Sequence, residues 1–127
     1  MNKYGGYETM LKIAIVGATG IVGQQAIVSL LGHPWFEIAK LVASERSAGK
    51  RYIDALRDAS GSLRWWCPEE LPQNIADMTV EEAASFDPTS VDIIFSTMDA
   101  AVAKELEPKY AKTTPVISTA SAFRYED

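Results

Sequence analysis

A chain of 127 residues with 47% hydrophobic content and a formal net charge of −5 holds enough apolar material for one buried core, so a single domain is the expectation. Twelve Lys and Arg against seventeen Asp and Glu exclude a general binder of phosphate backbones, which needs a dense basic surface, so no nucleic-acid partner is expected. No stretch approaches the ~20 apolar residues of a membrane span, residues 1–10 lack the apolar centre of an export signal, and the lone Cys67 can form no internal disulfide. These features predict a soluble cytoplasmic protein, with a flexible leader over 1–10 and one folded domain over 11–127.

In chain order, Leu11 to Val16 is a short β-branched run stopped by Gly17, the pattern of a buried parallel strand entering a turn. Ile21, Val22, Ala26 and Leu30 then recur at helical spacing until Gly32 and Pro34 end the segment. Phe36 to Ala43 reads as a second strand and Ser44 to Lys50 as a polar loop. Between Arg51 and Gln73 the pattern is irregular, with 63–66 a candidate short strand. Asp77 to Val80 is another, and Val91 to Ser96 is a core strand preceded by an Asp87-Pro88 turn. Asp99 is placed to cap a helix running to about Lys112, which Pro108 is expected to kink or divide. Val116 to Ser118 supplies one more strand. Strands alternating with helices predict an α/β fold: a Rossmann-type, doubly wound, mostly parallel sheet with helices on both faces.

The run GATGIVG at residues 17–23 falls between the first strand and the first helix, where bare backbone can approach a pyrophosphate and helix amides can bind it. Gly17 allows the tight turn, Gly20 the close approach of phosphate, and Gly23 the packing of helix on strand. The bland alternative is a turn that uses glycine only for its shape; its place in a βαβ unit favours the cofactor. The loop after the second strand selects the dinucleotide. Ser44, Arg46, Ser47 and Lys50 offer hydroxyls and positive charge that suit a ribose 2′-phosphate, so NADP is expected over NAD, although Glu45 could instead accept from a 2′-hydroxyl.

Four segments in order, GATGIVG, ASERSAGK, DIIFSTMDA and STASAFR, resemble successive motifs of aspartate-semialdehyde dehydrogenases, and the intervening PEELPQNIADMTVEE resembles their archaeal and fungal branch. The resemblance implies an oxidoreductase of amino-acid biosynthesis that reductively dephosphorylates aspartyl phosphate to aspartate semialdehyde. It implies NADP contacts at Gly17, Thr19, Gly20, Ile21, Val22, Ser44, Arg46 and Ser47, with Ser96 lining the nicotinamide side and Arg124 near the substrate phosphate. Thr119 stands where the family usually has Asn. The family's nucleophilic cysteine and acid–base histidine are expected beyond residue 127, so the chain is expected not to catalyse alone and to need a missing catalytic half or to self-associate.

Cys67, before Pro68 and far in sequence from the phosphate loop, reads as structural, as does His33 at a helix end with no metal-ligand spacing to a partner; no metal site is expected. Trp65 and Trp66 are open between a binding surface and packing on the sheet. Two other functions stand beside the dehydrogenase: a related acyl-CoA reductase such as malonyl-CoA reductase, and a non-catalytic NADP-binding module.

Overall fold

The computed structural model of the chain describes residues 10–119; the expected leader, Met10 apart, and Arg124 lie outside the described residues. Five strands form one parallel sheet in the order β3-β2-β1-β4-β5, where β1 is Leu11–Val16, β2 Phe36–Ala43, β3 Val80–Glu82, β4 Ile93–Ser96 and β5 Val116–Ser118. The chain thus builds outward from β1 in both directions, which opens a crevice at the carboxyl ends of β1 and β4, the usual ligand position in such sheets.

The alternation of the strands sets the two layers. Ile13 and Ile15 of β1 and Leu41 of β2 pack with Ala26 and Ile27 of α1 (Ile21–Leu30) on one face. Ala14, Val16 and Val42 pack with Ala103, Leu106 and Tyr110 of α4 (Ala100–Ala111) on the other. Because both faces are covered, successive residues toward the carboxyl ends of β1 and β2, Ile13 to Val16 and Leu41 to Ala43, are buried whichever way they point, while the positions before them include Lys12, Glu37 and Lys40. The short helices α2 (Tyr52–Ala55) and α3 (Gln73–Ala76) complete the first layer through Tyr52 and Ile75.

Three local expectations shift. Residues 63–66 form no strand: Leu63 makes a single antiparallel bridge to Arg57, and the segment is held by tertiary bonds described below. The strand expected at 77–80 begins where that one should end, at Val80, because Thr79 is taken by a bridge to Arg51 while Val80 to Glu82 pair with Leu41 to Ala43. Pro108 does not divide α4, which runs unbroken through it. Pro108 and Lys104, whose carbonyl loses its donor, both lie on the exposed side of the helix, where water can replace the missing bond. Asp99 caps this helix, its carboxylate accepting from the Val102 amide at 3.2 Å.

Buried Tyr110 fastens α4 to the turn after β3, its hydroxyl donating to the Ala83 carbonyl at 2.6 Å, and burial pushes its pKa up to about 12. The folded state therefore favours the neutral phenol. That stabilisation is fully present below pH ~10, where a free tyrosine begins to ionise, and is lost as the pH rises through about 12. Tyr110→Phe is expected to cost about 1 kcal/mol at neutral pH and to blunt the alkaline loss of stability, as urea titrations at pH 7 and pH 11 would reveal.

Candidate functional site

The register of the sheet brings three loops to one edge. Val16 lies beside Val42 of β2 and Ser96 of β4, so Gly17, Ser44 and Thr97 leave the sheet together. The turn at Gly17, with φ +87°, is the first requirement for glycine, and a Cβ there would also stand 2.5 Å from the Thr97 hydroxyl. Gly23 is the second: a Cβ would come within 2.2 Å of the Gly17 carbonyl oxygen, so α1 can sit this close to β1 only without one. Gly20 differs. The nearest atom to a Cβ there is Gly17 O at 3.7 Å, so nothing in the protein itself demands glycine.

Hydrogen bonds give the loop a direction. The carbonyls of Gly17, Ala18 and Thr19 accept, respectively, from the Thr97 hydroxyl at 3.2 Å, the Tyr52 hydroxyl at 2.6 Å and the Gln24 side-chain amide at 3.2 Å. The amides of Gly17 and Ala18 are spent on the Val42 carbonyl. Among the described residues, those of Thr19, Ile21 and Val22 have no acceptor. Unmatched amides at the positive end of α1, beside a glycine with space over it, form a receptor for an anion. The side chain of Ile21 is half exposed and lines a separate hollow with Trp66 and Cys67, so only its backbone belongs to the anion site.

A cleft of about 530 Å³ runs from Thr19 and Gly20 to Ser44, Arg46, Ser47 and Lys50. The turn at 44–50 is held in shape by the Ser44 carbonyl, which accepts from the amides of Ser47 and Ala48, and by Gly49 N donating to Val80 O. The cleft continues past the loop into a smaller one of about 270 Å³, lined by Gly17, Thr97, Met98 and Asp99. Ser96, the residue before Thr97 at the end of β4, is fully buried and lines neither cleft, and its hydroxyl has no hydrogen-bond partner among the described residues. Thr119 reaches the same place, its hydroxyl donating to the Ser96 carbonyl at 3.3 Å.

The structure therefore gathers the glycine loop and the Ser44 to Lys50 loop around one space, and leaves Cys67 and His33 outside it. Burial, then Glu69, pushes the Cys67 thiol up, away from thiolate character. His33 accepts from the Trp35 amide through Nδ1 and packs on the ring of Phe36 at the far end of β2. Trp65 packs against the α1-side core and Trp66 is exposed. Four contributors escaped the sequence: Gln24, Tyr52, Arg57 and Arg64. Gln24 was detectable in principle, as a polar residue in phase with the buried Gly23, Ala26 and Ile27.

Comparison with known proteins follows the same outline. The family model described as semialdehyde dehydrogenase, NAD-binding domain, matches residues 12–127. Aspartate-semialdehyde dehydrogenase of Methanothermobacter thermautotrophicus is 42% identical over 117 residues, covering 92% of this chain and 32% of the relative. The Saccharomyces cerevisiae protein of that name is 39% identical over 117 residues, covering 91% of this chain and 30% of its own length. The crystal structure of the Candida albicans enzyme with NADP superposes with a TM-score of 0.78 at 38% identity, over 91% of this chain and 31% of that one. The chain thus spans less than a third of the length of these relatives.

Alanine at the two helix-side glycines separates shape from binding. Gly23→Ala is expected to destabilise the fold by about 1–3 kcal/mol through overpacking. Gly20→Ala, where the poorer N-cap and the stiffer unfolded chain oppose each other, is expected to change stability by less than about 1 kcal/mol yet weaken dinucleotide binding by roughly tenfold or more. Paired denaturation and titration of the two variants check this; a Gly20→Ala chain that binds normally would contradict it.

Proposed function

The chain belongs to the semialdehyde dehydrogenase family, whose NAD-binding domain it matches over residues 12–127, and from that premise we propose that its cleft binds NADP. The observation that carries this is the single 530 Å³ cleft joining the glycine loop to Ser44, Arg46, Ser47 and Lys50. In this reading the backbone of Gly17, Thr19, Gly20, Ile21 and Val22 receives the pyrophosphate. Ser44, Arg46 and Ser47 receive the 2′-phosphate, the guanidinium by paired charge-assisted bonds and the serines by their hydroxyls. The nicotinamide lies toward the smaller cleft, at the end of β4 that carries Ser96.

When bound, the reduced cofactor supplies a hydride for reduction of an acyl group. The protein's part is to fix the dinucleotide so that its reactive face is presented at the carboxyl ends of β1 and β4. We assign the reaction to the reductive dephosphorylation of aspartyl phosphate, supported by relatives at about 40% identity that are named aspartate-semialdehyde dehydrogenases. Among the described residues neither cleft is lined by a thiol or an imidazole. The thiolate and acid–base steps are therefore assigned to a catalytic domain working with this one, the partner we propose, with Arg124 as a contact to the substrate phosphate.

Calorimetric titration tests the cofactor. NADP is expected to bind at least roughly tenfold more tightly than NAD, with Arg46→Ala erasing most of the difference. Equal affinity for the two dinucleotides in the unaltered chain would overturn the assignment.

A further inference from the structure

Two of the cations on the larger cleft, Arg57 and Arg64, belong neither to the glycine loop nor to the loop after β2. They stand at the base of a tight loop closed by the Arg57–Leu63 bridge and by Arg64 N donating to Leu56 O at 2.9 Å. Resting on the NADP reading above, we propose that Arg57 and Arg64 form a second cationic wall for the 2′-phosphate and are specificity-determining residues for NADP over NAD.

The gathering of unpaired cations in one place makes the case. This acidic chain neutralises Lys40 with Glu81, and Arg51 with both Asp54 and Asp77. Among the described residues, four of the cations without an ion pair, Arg46, Lys50, Arg57 and Arg64, line this one cleft, while the others, Lys12, Lys104, Lys109 and Lys112, lie outside it. Four unpaired cations around one space repel one another, and a multiply charged anion relieves that repulsion. The pyrophosphate has the loop amides; a terminal dianion on the ribose is what remains for the guanidinium groups. Asp58, the one carboxylate lining the cleft, accepts from the Ser60 hydroxyl at 2.6 Å and from the amides of Ser60 and Ser62 at 2.9 and 3.0 Å; these bonds, with a smaller attraction from Arg64, hold its carboxyl below the usual range, but it makes no ion pair with Arg64.

The wall is also built before any ligand arrives. Arg57 donates Nη1 to the Gly61 carbonyl at 2.9 Å, which fixes the guanidinium while leaving other donors free. The Arg64 carbonyl accepts from Gln24 Nε2 at 2.9 Å, and the same Gln24 nitrogen donates to Thr19 O in the glycine loop. The backbone of Arg64 is thereby tied to the loop that would hold the pyrophosphate, which anchors the root of its side chain beside that loop.

The test titrates the full chain with NADP, NAD, adenosine 2′,5′-bisphosphate and adenosine 5′-monophosphate, then repeats it with Arg57→Gln, Arg64→Gln and Arg46→Gln. Both Arg57 and Arg64 are exposed, so their variants are expected to melt like the parent chain. Each is expected to weaken NADP and the bisphosphate by roughly tenfold while leaving NAD and the monophosphate unchanged, with the difference shrinking at high salt. Arg51→Gln, paired outside the cleft, is expected to change none of the four. If the parent chain prefers NADP and loses that preference with Arg46→Gln but keeps it with both Arg57→Gln and Arg64→Gln, the second wall is refuted and the NADP reading stands. A parent chain that shows no preference for NADP refutes both, and does so before any variant is made.

Discussion

Three consecutive carbonyls, those of Gly17, Ala18 and Thr19, are held by side chains from three different parts of the chain, and the candidate site depends on this. Thr97 follows β4, Tyr52 opens α2 and Gln24 lies inside α1. With its carbonyls turned to the protein, the loop is left with amides that the protein does not use. Gln24 does most, because its nitrogen serves Thr19 O and Arg64 O while its oxygen accepts from Trp66 N at 2.7 Å. It is fully buried, and losing it would remove three part-buried bonds to the backbone, each worth about 0.5–1.5 kcal/mol.

The glycines cooperate with this network rather than merely loosening the backbone. Gly17 and Gly23 let Thr97 and α1 approach so closely that side chains are excluded, which places the helix amides directly over the end of β1. The order β3-β2-β1-β4-β5 then opens the crevice where those amides lie. Electrostatics finishes the selection. A protein of net charge −5 that nonetheless lines one cleft with Arg46, Lys50, Arg57 and Arg64 repels anions generally and attracts them at one place.

The part of this that local sequence can encode was legible. β1, the glycine turn and α1 follow from an apolar run, a breaker and a helical period, and β2 keeps its expected bounds, with its last three residues, Leu41 to Ala43, buried on both faces. The resemblance to aspartate-semialdehyde dehydrogenases, carried by GATGIVG, ASERSAGK, DIIFSTMDA and STASAFR, agrees with the archaeal and fungal relatives. What escaped depends on contacts distant in sequence. Residues 56–66 have no period because their backbone is held by Gln24, some 40 positions away, so neither the shape of that segment nor the presence of Arg57 and Arg64 at the cleft could be read locally. β3 was displaced because its pairing with β2, rather than its own composition, sets where it begins. Pro108 does not divide its helix, because the bond it removes lies on the exposed face, where water can replace it.

The central claim is that unused amides at the start of α1 are an anion receptor and not simply a frayed helix end. Amide NMR of the chain titrated with NADP tests it most directly. The largest shifts are expected at Thr19, Gly20, Ile21 and Val22, with a second set at the Ser44 to Ser47 turn and at Arg64. Shifts confined to other surfaces, with the Thr19 to Val22 amides unmoved at saturation, would contradict it.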